Sequence, residues 1–211
     1  VVIAPEYQLF YGRRFYGGEE LLRTVLDVSP KTINLLSLEE WRNIFKYLPG
    51  YSFSKFKPKE YFEAPDVDNC YGRNSFNNFG DEYKHWPLGN RRPSSYHPIK
   101  ESFNPKVITE LKKFRNLVKG KRASLYITFP GLQASSFDIL IGQIRQVETE
   151  LHNNDFSLLG SPQQYKMPDS LVFDAPYHLT KNGLDLRTQL LIQDLRNSGI
   201  NKFIHFTQCH P

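Results

Sequence analysis

The chain has 211 residues, 27 of them basic and 22 acidic, with 39% hydrophobic and 14% aromatic content. This is the composition of a folded globular protein, so wholesale disorder is excluded and the length suffices for one domain with a substantial core. The net charge of +5 comes from scattered residues, in pairs such as Arg13-Arg14, Arg91-Arg92 and Lys112-Lys113, without the clustered patch of a specific nucleic-acid binder.

Val1-Val2-Ile3-Ala4-Pro5 is a short apolar, β-branched run that reads as a buried strand with no leading turn or cap. The expectation is that an N-terminal portion of the natural protein precedes it. Tyr11 to Gly18, rich in glycine, aromatics and arginine, reads as a loop. A helix is expected from Glu19 to about Val28, stopped by Pro30. A second begins at the capping box Ser37-Leu38-Glu39-Glu40 and ends at Pro49-Gly50. From Tyr51 to Phe103 no sustained period survives. This irregular insertion is expected either to pack by its aromatics and short helices or to lie over a binding site.

Regular patterning returns at Asn104-Pro105, a cap followed by proline at the first helical position, and predicts a helix to Gly120. Ala123 to Phe129 reads as a buried strand ending at the turn Pro130-Gly131. Ser135 or Ser136 is expected to cap a helix whose apolar face is Phe137, Leu140, Ile141, Ile144, Val147 and Leu151. Phe156 to Leu159 reads as a strand, Gly160 to Leu179 as a loop, and Thr180 as the start of a helix ending near Gly199. Alternating strands and helices predict one α/β domain over residues 1–211, built on a mainly parallel sheet. Neither a repeat nor a low-complexity tract interrupts it.

In open parallel sheets ligands bind beyond the carboxyl ends of the strands. That rule selects the loops at Pro5-Glu6-Tyr7, at Pro130-Gly131 and between Gly160 and Leu179. The third carries Phe173-Asp174-Ala175-Pro176-Tyr177-His178-Leu179. A histidine acting as general base needs a partner on its other ring nitrogen, and Asp174 is the nearest candidate for His178. The alternative is that Asp174 caps a turn and His178 packs at a helix start.

This segment resembles the last sequence block of the SGNH (GDSL-like) hydrolase and acyltransferase superfamily, in which an aspartate and a histidine precede a helix and a glycine follows the histidine by five positions. His178 and Gly183 reproduce that spacing. The opening Val1–Tyr7 stretch and Arg187-Thr188 are similar to an extracytoplasmic branch that acts with membrane-bound O-acyltransferases on cell-envelope polymers, including the D-alanyl-transfer proteins. The resemblance implies a three-layer, SGNH/flavodoxin-like sheet and a serine-based ester hydrolase or O-acyltransferase without a cofactor. His178 would be the base and Asp174 its partner. Two departures stand out. Asp174 and His178 are separated by three residues where the superfamily has D-x-x-H, which keeps Asp169 as a fallback. The G-D-S-like block with the nucleophilic serine, and the G-x-N-D block, have no counterpart in the chain.

Other residues have a functional and a structural reading. Ser135-Ser136 follows a strand-turn but lacks the glycines of a nucleophile elbow, so capping is the expected role, and nothing distinguishes Ser170 from a turn residue. Asn77 fits an oxyanion or sugar contact, or a turn with Asn78, Gly80 and Asp81. Tyr71, Tyr83, Trp86 and Tyr96 fit carbohydrate stacking or a local mini-core. Glu6, Tyr7 and Tyr177 are candidate substrate contacts from their placement. His85 with His97, and His205 with Cys209 and His210, lack the spacing of a structural zinc site. Cys70 and Cys209 form one disulfide or none.

The expectation is therefore an SGNH-like enzyme acting on a cell-envelope glycan or related polymer, its serine supplied upstream of Val1. The chain alone would then be inactive. The alternative is a non-catalytic binding or assembly module that retains the fold. The resemblance further implies an extracytoplasmic protein tethered by an upstream membrane segment and partnered with a membrane-bound O-acyltransferase.

Overall fold

The computed structural model describes residues 1–12, 75–78 and 81–199. The chain divides into two compact units, Val1–Gly12 with Tyr83–Pro211, and Arg13–Glu82. The helices expected at 19–28 and 38–48, both cysteines, and the Tyr71, His205 and His210 positions lie outside the described residues. Of the second unit, residues 75–78 and 81–82 show a small antiparallel turn in which Phe76 bridges Glu82.

The first unit is mixed α/β with parallel strands. Strand β1 (Val2–Ile3) is followed by a 3-10 turn at Tyr7–Phe10 and then, within the same unit, by helix α1 (Pro105–Gly120), β2 (Tyr126–Thr128), β3 (Leu132–Gln133), α2 (Ala134–Asn153), β4 (Ser157–Leu159), β5 (Lys166–Met167) and α3 (Lys181–Asn197). β2 is central in a sheet ordered β1-β2-β4, pairing Val2 with Tyr126 and Ile127 with Leu158, both parallel. β3 and β5 form a second parallel pair. Where the sequence predicts only a turn at Pro130-Gly131, the chain goes straight into β3, whose Leu132 and Gln133 pair with Lys166 and Met167 of β5.

Each helix follows from its boundaries. Asn104 caps α1 by accepting the Lys106 amide at 3.1 Å, and Pro105 fills the first position, where its missing N–H costs nothing. The 3.6-residue stripe of α2 is buried at Phe137, Leu140, Ile144, Val147 and Leu151 and packs on β3, β4 and β5. On α1 the stripe is narrower than its leucines imply: Val107, Ile108, Leu111 and Val118 are buried, while Leu117 is 69% exposed.

α3 departs most from its pattern. Leu184, Leu191 and Leu195 are only half-buried, and the fully buried positions are Gly183 and Asp194. Gly183 lets the helix approach the Leu171 carbonyl, against which a Cβ would collide. Asp194 is tolerated inside because it accepts the Tyr165 hydroxyl at 2.5 Å and the Gln164 amide at 2.9 Å. Residues 83–103 contain neither helix nor a named strand. They are held by side-chain bonds to their surroundings. Asn90 Nδ2 donates to the carbonyls of Asp169 and Val172, Gln133 Nε2 donates to Pro93 O at 3.1 Å, and Tyr96 N–H donates to Ser136 Oγ at 2.9 Å. Among the described residues no helix is long and apolar enough to cross a membrane.

Candidate functional site

The loops selected by the strand-end rule converge. β1 leads into Glu6 and Tyr7, β2 leads through Pro130-Gly131 into β3, and the 168–180 segment contacts both. Tyr7 N–H donates to the Tyr177 hydroxyl at 3.2 Å, and Leu179 packs on Gly131, where its Cδ1 lies 2.9 Å from the position a Cβ would take.

A tight turn organises the His178 loop. Val172 bridges Leu179 in antiparallel fashion, Phe173 N–H donates to His178 O at 2.6 Å, and His178 N–H donates to Ala175 O at 2.8 Å. This folding back brings Asp174 beside His178 despite the three intervening residues. His178 Nδ1 lies 2.9 Å from Asp174 Oδ1, with the imidazole 49% exposed and the carboxylate 22% exposed. With Nδ1–H donating to the carboxylate, the lone pair lies on Nε2, the arrangement in which an imidazole accepts a proton from an alcohol.

The fallback acid is occupied elsewhere. Asp169 Oδ1 accepts the Ser135 amide at 3.0 Å, placing a negative charge at the N-terminus of α2. That contact also corrects the capping expectation. The cap position of α2 is Gln133, with no side-chain cap bond, and Ser135 and Ser136 already lie in the first turn. Ser136 is wholly buried, donating to Gln133 Oε1 at 2.7 Å and accepting from Tyr96 N–H, while Ser135 Oγ accepts from Ser95 at 2.7 Å. Both hydroxyls bond the irregular segment at Ser95 and Tyr96, a partnership that the sequence pattern does not reveal.

The candidate contacts differ in exposure. Tyr7 is a core residue, 1% exposed, its hydroxyl without a hydrogen-bond partner among the described residues and its pKa pushed up by burial and then by the Glu148 charge. Tyr177 is half-buried. Burial, then the nearby Glu6 carboxylate, pushes its pKa up as well. Its ring packs on Tyr96 with centroids 5.5 Å apart. Glu6 accepts from Gln8 Nε2 at 2.6 Å. Glu6, Tyr7 and Tyr177 are thus neighbours, and Tyr177 adjoins His178 in the chain. Asn77 lies in the second unit, where it makes the turn: its amide donates to Asp81 Oδ2 at 3.0 Å and its Oδ1 accepts the Asp81 amide at 2.9 Å.

Residues 83–96 pack on this loop. The rings of His85 and Phe173 lie 5.1 Å apart, Arg91 Cζ sits 4.8 Å from the Phe173 centroid, and His85 Nε2 meets Leu179 O at 3.0 Å. Tyr83 and Trp86 pair edge to face at 6.2 Å, with Tyr83 itself 40% exposed. Sequence reasoning missed Asn90, whose single amide ties together both ends of the Asp169–Val172 turn. An asparagine amid Gly, Arg and Pro reads as a turn former and carries no signal of a distant partner. Among the described residues no cluster of three or more His, Cys, Asp or Glu side chains is arranged to hold a metal ion.

Comparisons with protein-family models, with curated proteins and with solved structures find no match.

Proposed function

We propose that this chain carries the acid–histidine half of an SGNH-like ester hydrolase or O-acyltransferase acting on a cell-envelope glycan or related polymer. The observation that carries the reading is the 2.9 Å contact between His178 Nδ1 and Asp174 Oδ1 on a half-exposed loop beside the segments leaving β1 and β2. Support also comes from Gly183 five residues after the histidine. In this reading a serine outside the 211 residues attacks the acyl carbonyl while its proton passes to His178 Nε2. Asp174 stabilises the imidazolium, and the proton then goes to the departing alcohol. The Tyr96–Tyr177 ring pair beside the histidine offers apolar surface for a sugar face. The three-layer sheet, the extracytoplasmic location and the membrane-bound O-acyltransferase partner belong to the same proposal.

The test compares these 211 residues with the full reading frame in labelling by a serine-directed fluorophosphonate and in hydrolysis of an acetyl ester. Labelling and turnover from the full frame alone, lost in His178→Ala, are expected. His178-dependent turnover by the 211 residues would overturn the external serine. No labelling in either protein would leave the non-catalytic binding module.

A further inference from the structure

α3 buries one face through Gly183 and Asp194, and Arg187, four residues after the first and seven before the second, belongs to that face. Its aliphatic stem runs along Gly131, with Cδ 3.5 Å from the position a Cβ would occupy, and its Cζ lies 5.8 Å from the Tyr165 ring centroid. Leu179, the residue after His178, packs on the same glycine. Arg187 is therefore held where the segment leaving β2 meets the His178 loop.

This guanidinium is half-buried, yet among the described residues it makes neither an ion pair nor a hydrogen bond. Asp194, the acid on the same helix face, is engaged by Tyr165 and Gln164. Burial pushes the Arg187 pKa down, opposed only by Tyr165. Holding a cation out of water without a counter-charge is costly, and the five donors of a guanidinium match an oxyanion in a planar fork. Arg91, by contrast, covers Phe173, and its backbone N–H donates to Phe173 O at 2.7 Å.

We propose that Arg187 is the anion-recognition residue of this site, binding a carboxylate or phosphoryl oxygen carried by the substrate glycan. The inference rests on the functional reading above for the identity of the substrate, and it narrows the substrate class to anionic glycans. Arg187 binds and positions; it takes no part in proton transfer.

The test is binding to the 211-residue chain, followed by the arginine Nε–Hε resonances and by calorimetry. Inorganic phosphate and galacturonate serve as probes for the two sources of charge, and neutral galactose as control. One arginine resonance should move with at least one of the two anions and be missing in Arg187→Lys. Arg187→Gln should weaken anion binding roughly tenfold or more, with Arg187→Lys intermediate. Anion binding is read without any turnover, so failure of the catalytic assignment and failure of this one are read separately. Unchanged binding in Arg187→Gln, equal binding of galactose, or no shifted arginine resonance in the wild-type chain would overturn the proposal. The last measurement decides the matter even if Arg187→Gln does not fold.

Discussion

Gly183 and the Leu171 carbonyl oxygen are so close that the first turn of α3 has room for a hydrogen and for nothing larger. A Cβ at Gly183 would meet that oxygen and crowd the Cβ atoms of Leu171 and Leu179, both at 3.2 Å. The Leu171 oxygen also accepts Thr180 N–H at 2.9 Å and Thr180 Oγ1–H at 3.2 Å, so it cannot retreat without breaking the helix cap. Gly183→Ala is expected to destabilise the chain by about 1–3 kcal/mol although alanine is the better helix former. Chemical denaturation read by circular dichroism checks this; an unchanged or stabilised variant would show that the approach relaxes freely.

Gly160 gives a second packing test. It leaves β4 at φ +71°, and a Cβ there would strike the Asp194 carboxylate, with Cγ and Tyr165 Cε2 both at 3.0 Å. Gly160→Ala combines left-handed strain with overpacking, and a loss of roughly 2 kcal/mol or more is expected. The Asp194→Ala background should recover part of it, a coupling that a double-mutant cycle in urea measures.

In the proposed reading Asp174 acts through His178, so its removal should separate catalysis from stability. In the full reading frame, Asp174→Asn is expected to lower kcat for ester hydrolysis by roughly two to four orders of magnitude. The thermal midpoint should barely move, because a half-exposed pair contributes little to folding. Asp169→Asn should do the reverse, leaving the rate and lowering the midpoint through its contact with the α2 terminus. Equal rate losses in both variants would remove the assignment of Asp174.

Alkaline pH should weaken the fold through buried tyrosines. Burial pushes Tyr11 up to about 12, and burial with the Asp194 hydrogen bond pushes Tyr165 up to about 12. An unfolded tyrosine ionises near pH 10, so between about 10 and 12 the unfolded state binds fewer protons and stability falls as pH rises. Below pH 10 these two groups contribute no slope. Tyr11→Phe should flatten the decline in urea midpoints over that window, at the cost of the hydroxyl's bonds to Gln143 O and Gln146 Oε1.

Local periodicity made α1, α2 and α3 legible, because a 3.6-residue stripe with a cap and a stop leaves few alternatives: Asn104, Thr180 and Gly199 lie where their chemistry predicts. β3 and β5 escaped notice. Two-residue strands carry no period, and their partners are more than thirty residues away. The Asp174–His178 pair was legible as a possibility from composition and strand order, but the turn that joins them depends on the Val172–Leu179 bridge. Asp169 and Ser135 are 34 residues apart, so the cap that α2 receives was hidden from any reading of its own sequence.

The parallel order β1-β2-β4 has a kinetic corollary. Tyr126 N–H donates to Val1 O at 2.9 Å and Val2 pairs with Tyr126, so the sheet's edge closes a very long chain segment before gaining its first contact. β2, α2 and β4 are close in sequence and can assemble early, with β1 docking last. Refolding should then show α2 amides protected against hydrogen exchange well before those of β1 and its partner Tyr126, and a chain caught between the two stages would present the bare flank of β2 to other molecules.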